Sequence, residues 1–249
     1  MKDRSISSSR RKIIKEQRIK RKKKQQRNTL LIIIGIALII SALLIYPTLR
    51  QTLTPVGEIV KITPYPRPMV DFNAMGNPDA PVKIEEFSDF QCPYCKKFSD
   101  EAEKLIVDNY IATGKVYFVY IPYGPTGEYI GPESKDSALA SFCAAEQGKF
   151  WEYHDIIFAN HSGENVGDYT EKRLMAFAET LELDMDSFRS CYIDEKYEQR
   201  LAEGIAYGKS AGIGPTPSFL INGKIIEGAQ PYSSFQQAIE AALAEAGGD

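Results

Sequence analysis

Cys92-Pro93-Tyr94-Cys95 holds two thiols separated by two residues, a spacing that suits either a disulfide that opens and closes or one half of a metal site. The strand-like run 82–87 (VKIEEF) precedes the pair, and helical spacing of Phe98, Ala102, Leu105 and Ile106 follows it, so the thiols stand where a strand meets a helix. There Cys92 meets the positive end of the helix, where a thiolate is stabilised, and Cys95 lies one turn further in. Pro93 suits the first helical position, because the N–H it lacks would have no partner within the helix. Lys96 and Lys97 add positive charge close by. A stabilised thiolate favours the reduced pair and makes Cys92 a good leaving group, so such a disulfide tends to be handed to other thiols. Zinc fits poorly: Cys143 and Cys191 do not form a second C-x-x-C, and neither His154 nor His161 stands at ligand spacing from a cysteine. No metal and no cofactor are expected. A purely structural Cys92–Cys95 bridge would close too small a loop to stabilise much.

The elements around this pair are legible. Runs 82–87 and 116–122 read as strands and 93–112 as the helix between them, with Gly114 closing it, a unit that implies a parallel strand pair. Residues 133–191 read as several helices: one opened by Pro132 and Ser134 and ending at Gly148, a short aromatic one over 150–158, and another beginning at Thr170. A longer helix is expected from Asp194 to about Ala211. Asn222-Gly223 between 218–222 and 224–227 is a strong two-residue hairpin signal. Ser233 and Gln236 form a capping box for a last helix ending at Gly247. The order implies an α/β fold, a mixed sheet covered by helices, with a helical insertion at about 132–192.

The charge is sorted along the chain. Of 30 Lys/Arg and 33 Asp/Glu, residues 1–28 hold 13 basic and 2 acidic, leaving 17 and 31 for the rest. The 17 residues from Leu30 to Tyr46 carry no charge and as a helix reach about 25 Å, just enough to span a bilayer's hydrocarbon layer. The basic stretch then reads as a cytoplasmic tail of residues 1–28 and the apolar stretch as a transmembrane signal anchor over 29–48, with everything after it extracytoplasmic. A cleaved signal peptide is the competing reading, against which stand the long basic region and the lack of a small-x-small cleavage pattern. Pro55, Pro64, Pro66 and Pro68 mark 49–71 as an extended spacer before a domain over 72–249. The acidic balance of that domain argues against nucleic acid as a partner. Outside the membrane, Cys143 and Cys191 are expected to pair in a structural disulfide closing a loop of about 49 residues, worth about 4 kcal/mol; two buried free thiols are the other reading. His154 and Trp151 read as core, and Asn160-His161-Ser162 satisfies a glycosylation sequon.

Three ordered motifs carry a resemblance. NPDAPVKIEEFSDFQCPYCKKF (77–98) resembles the active-site segment of DsbA-like, thioredoxin-fold thiol:disulfide oxidoreductases, CAAEQGKFWEYHDIIF (143–158) their helical insertion, and GIGPTPSFLING (212–223) their cis-proline loop. The resemblance implies that Cys92 is the attacking thiol, Cys95 the buried resolving thiol, and Pro217, after Thr216, a cis-proline facing the pair. It implies that Glu86 is a buried acid near Cys95, and alternation supports this, since Val82, Ile84 and Glu86 share one face of a strand. A buried carboxylate holds its proton more tightly and could exchange it with Cys95. Two residues depart from the family pattern: Tyr94 stands where strong oxidants carry histidine, and Pro215 replaces a glycine before Thr216-Pro217.

The expected function is a membrane-anchored enzyme donating a disulfide from Cys92–Cys95 to reduced exported proteins. The family implies reoxidation by a quinone-linked membrane thiol oxidase. The rivals are a reductase or isomerase of the same fold, a tethered binding or chaperone module without catalysis, and a zinc-binding module.

Overall fold

The structure, a computed structural model, describes residues 3–53 and 56–247, with side chains described at residue 18, over 20–46 and over 56–247. The chain divides into two compact units, at 1–55 and 56–249.

The first unit is one helix, α1 (Asp3–Leu53). Its stretch Lys20–Tyr46 contains an 18-residue window with a mean hydropathy of 2.8 and is long and apolar enough to cross a membrane. The helix differs from the expected segmentation, for it joins the basic tail to the apolar run without a break and passes through Pro47 into the first residues assigned to the spacer. Lys, Arg, Gln and Leu are all good helix formers, and a proline accepts helical φ while removing one hydrogen bond.

In the second unit a five-stranded sheet has the order β1-β3-β2-β4-β5, with β1 (Ala74–Met75), β2 (Val82–Ser88), β3 (Val116–Pro122), β4 (Ser218–Ile221) and β5 (Lys224–Glu227). β2 and β3 are parallel, pairing Glu86 with Tyr120, and the other pairs are antiparallel. The crossover between them is α2, a helical run over 93–111 in which two stretches, Ser99–Glu103 and Val107–Ile111, are π-helical. Between β3 and β4 come α3 (Pro132–Ala145), α4 (Phe150–Ala159), α5 (Glu171–Thr180), α6 (Met185–Ile193) and α7 (Glu198–Ser210), and α8 (Tyr232–Ala246) closes the fold. Asn222 and Gly223 both have positive φ, 46° and 81°, as the two-residue hairpin requires.

Two expected helix starts move. Glu195 adopts φ 45° and separates α6 from α7, so no helix starts at Asp194. α6 was unforeseen; its N-terminus is satisfied by Asp184, whose carboxylate accepts from Ser187 N–H at 2.8 Å. At α8 the cap is Pro231, with no side-chain cap bond, which puts Ser233 inside the first turn rather than at its head.

The spacer expected at 49–71 is not a free tether over its described part, though Pro55 lies outside the described residues. From Val56 the chain is strapped onto the domain: Asn160 bonds both the N–H and the carbonyl of Val60 at 2.9 Å, and Arg173 donates to the Val56 carbonyl at 2.7 Å. Asn160 is 7% exposed and so committed that the sequon it heads presents no free amide. Arg67 is buried to 2% side-chain exposure and forks onto Asp155, with both bonds at 2.8 Å. The folded unit therefore begins near Val56, not at Phe72. Trp151 and His154 lie in the aromatic core, as their neighbours in α4 suggested.

Candidate active site

α2 begins directly after β2, with Cys92 as N-cap in extended conformation (φ −75°, ψ 121°) and Pro93 as first helical residue. The thiols are free and unequal: Cys92 is 5% exposed and Cys95 fully buried, while Tyr94 between them is 64% exposed. Cys92 Sγ donates to the Thr216 carbonyl at 3.4 Å, across from which the Thr216–Pro217 peptide is cis. Thus β4's leading loop faces the thiol with Thr216 and the buried Pro217. Asp89 N–H donates to Cys95 Sγ at 3.5 Å.

The electrostatics separate the two sulfurs. A hydrogen bond from Cys95, assisted by the Thr216 side chain and by the N–H groups of Cys95 and Tyr94, lowers Cys92 to about 6 against the opposing effect of burial. Burial, and then the negative Cys92 beside it, pushes Cys95 well above the usual thiol range. Lys96 and Lys97 contribute little to this, since each is paired one turn along, with Asp100 at 2.8 Å and Glu101 at 4.0 Å. Tyr94 supplies its backbone N–H only. Alkylation of the reduced protein by iodoacetamide should therefore have its half-maximal rate near pH 6, at Cys92 alone. A midpoint near the ordinary thiol value would contradict the geometry of the helix cap.

Glu86 is 1% exposed on β2, beside fully buried Val82 and Ile84. Burial first, then the charge of Glu103, raises its pKa well above the carboxylate range. It shares its surroundings with Ser88, Cys95 and Tyr120, whose hydroxyl burial likewise holds protonated. Among sequence-assigned residues, the structure brings together Cys92, Cys95, Pro93, Tyr94, Thr216, Pro217 and Glu86. Cys143 and Cys191 are joined as a disulfide between α3 and α6.

Sequence reasoning missed the groups that hold the Cys92 turn. Asp89 accepts from Gln91 N–H at 2.9 Å, and the Gln91 side chain, fully buried, donates to Ser134 Oγ at 2.9 Å and accepts from Asn165 N–H at 2.5 Å. His161 Nε2 lies 2.8 Å from the Gln91 carbonyl. The insertion thus grips the residue before Cys92. Polar residues flanking a C-x-x-C were the available signal, but their partners lie 40 or more positions away.

A strand-to-helix dithiol opposite a cis-proline, on a mixed sheet with an inserted helical block, defines a thioredoxin-fold redox site. The family profile described as Thioredoxin matches residues 71–241, and the chain belongs to that family. Its fold is DsbA-like: it superposes on oxidised BdbD from Bacillus subtilis with a TM-score of 0.63 at 24% identity, over 75% of this chain and 99% of that one. The disulfide bond formation protein D of Bacillus subtilis is 25% identical over 179 residues, 68% of this chain and 76% of the relative. A Na(+)/H(+) antiporter NhaA 3 from Salinispora tropica is 32% identical over 171 residues, 69% of this chain. The chain spans about a quarter of that antiporter's length, 24%.

Proposed function

We propose that the chain is a single-pass membrane-anchored thiol:disulfide oxidoreductase that donates the Cys92–Cys95 disulfide to cysteines of exported proteins. The observation that carries this is the inequality of the two sulfurs: Cys92 is a stabilised thiolate at the helix cap, Cys95 a buried thiol. A substrate thiolate attacks Cys92 Sγ, the Cys92–Cys95 bond breaks, and Cys95 leaves with the electron pair and takes a proton from Glu86. The substrate's second thiolate then attacks its own sulfur in the mixed disulfide and releases Cys92 as the thiolate. Two electrons have passed from substrate to enzyme, and a quinone-linked thiol oxidase in the membrane would remove them. The apolar helix, with 13 basic residues upstream against 2 acids, supports an anchor with its N-terminus cytoplasmic and the redox domain outside.

The lowered thiolate fixes a pH dependence. It stabilises the folded reduced form fully above the unfolded-state value near 9.0, and this gain is lost as pH falls through about 6. The oxidised form has no such gain, so the disulfide becomes more strongly oxidising as pH rises through that window, relative to an unperturbed dithiol.

The test is the reduction potential of the full chain in detergent, equilibrated with glutathione. A value in the oxidising half of the range from about −270 to about −120 mV supports donation. A value near the reducing end would assign the same site to a reductase, a reading favoured by Tyr94, which leaves no side-chain cation between the cysteines.

A further inference from the structure

Eight buried side-chain polar atoms among the described residues have no protein hydrogen-bond partner, and six of them form one group: Arg67 Nε, Glu86 Oε2, Ser88 Oγ, Glu103 Oε2, Tyr120 OH and His154 Nε2. Ser88 is within hydrogen-bonding reach of Glu86, Cys95 and Tyr120, so these atoms satisfy one another only in part, and their gathering in one place calls for a function. The group runs from the redox pair to the strap. Ser88 and Glu86 act on Cys95, Glu86 stands opposite Tyr120 in the sheet, and the Tyr120 ring meets His154 edge-on at 5.3 Å. His154 Nε2 is 3.6 Å from Glu103 Oε2, and Glu103 Oε1 accepts from Arg67 at 2.6 Å. Glu103, His154 and Asp155 converge as cation ligands would, but the guanidinium of Arg67, stacked 5.0 Å over Trp151, already holds both carboxylates.

Resting on the oxidoreductase reading, we infer that the Arg67–Glu103 ion pair is a positioning device for the redox site, its buried negative end acting through Glu86 to keep a proton ready for the Cys95 sulfur. Glu103 is carried on the same helix as the cysteines, and the π-helical stretch Ser99–Glu103 turns it inward to 1% side-chain exposure. Its charge is the second cause, after burial, that raises the proton affinity of Glu86. When Cys95 leaves as a thiolate it takes the Glu86 proton, and the resulting carboxylate feels the Glu103 charge in a medium that cannot solvate it. Glu86 therefore takes its proton back from Cys95 when the pair is reoxidised. Arg67 holds Glu103 in place, because an unpaired buried charge would reorganise. The other charged or titratable groups facing Glu86 and Glu103 are Cys92, Tyr120, His154, Asp155 and Tyr65, with Asp89 acting on Tyr120.

The test follows the thiol–disulfide equilibrium of the full chain in detergent against glutathione between about pH 5 and pH 9, with thiols trapped by acid and alkylated. The wild type is expected to show a break where Glu86 titrates. Glu103→Gln should move that break down by about one pH unit, while Glu86→Gln should abolish it and make Glu103→Gln silent in that background. A role confined to structure would lower stability and leave the break in place. An unmoved break, or an equal shift with and without Glu86, overturns the inference. Should Glu103→Gln not fold, the redox-induced infrared difference spectrum of the wild type decides: reduction must alter a buried carboxylic-acid band that Glu86→Gln removes, and an unaltered band refutes the device. Failure of the donor reading looks different, as a reducing equilibrium constant whose pH break still responds to Glu103.

Discussion

Cys92→Ser is expected to reduce dithiol-peptide oxidation and insulin-disulfide reduction to the uncatalysed background, whereas Cys95→Ser should accumulate mixed disulfides with its substrates. The contrast follows from access. Cys95 is fully buried and holds its proton, so no nucleophile reaches it and it cannot substitute for Cys92. Cys92 retains a small exposed surface and lies at the helix cap facing Thr216, so it still exchanges when its partner is gone. Without Cys95 the enzyme lacks the internal thiol that releases a trapped substrate, and the adduct persists. Mass spectrometry of acid-quenched protein, before and after reductant, reads both outcomes. A tethered binding module whose cysteines are only structural predicts unchanged function in Cys92→Ser and no adduct in Cys95→Ser.

The site was legible wherever its determinants are local in sequence. Cys92, Pro93 and Cys95 announce a helix cap through their own chemistry, Asn222-Gly223 a hairpin, and the alternation of Val82, Ile84 and Glu86 a buried acid on an otherwise apolar face. What sequence spacing failed to place is Glu103. A strict 3.6-residue period put Leu105 inside, yet Leu105 is 42% exposed and Glu103 is fully buried. The π-helical stretches in α2 insert extra residues per turn and rotate the inward face. No local propensity signals such a slip, and the partner that receives Glu103, Arg67, lies 36 positions upstream.

Arg67 was hidden for a related reason. Prolines at 64, 66 and 68 read as a free extended tether, and the chain there has neither helix nor strand until it turns at Pro68 and Met69; irregular chain says nothing about whether an already folded surface will receive it. Its anchors are Asn160, Arg173, Glu103 and Asp155, which become neighbours only after the insertion has folded onto α2. Likewise Gln91 looks like an ordinary polar residue until Ser134 and Asn165 arrive from the insertion to bond it. The chemistry of the site is written locally, and its support is written in tertiary contacts.

That support makes the second disulfide consequential. Cys143 on α3 and Cys191 on α6 are bonded across 48 positions, with Cα atoms 5.8 Å apart. A loop of that length removes about 4 kcal/mol of unfolded-chain entropy. The double variant Cys143→Ala/Cys191→Ala should therefore lose about 4 kcal/mol, which for a domain of this size lowers Tm by about 10 °C. Both cysteines are replaced together, since a single leftover thiol would exchange with Cys92–Cys95 and confuse stability with redox chemistry. Oxidation of a dithiol peptide well below the new melting point should stay within about twofold of wild type, because none of the bonds holding Asp89, Gln91 or Thr216 runs through either cysteine. As the temperature rises, activity should fail first through the insertion: α3 carries Ser134, the partner of Gln91, in its first turn and Cys143 near its last, so loosening the helix releases the turn before Cys92. An unchanged melting temperature in circular dichroism would mean that the bridge adds nothing to the fold, and an activity lost already at low temperature would tie it to the redox chemistry itself.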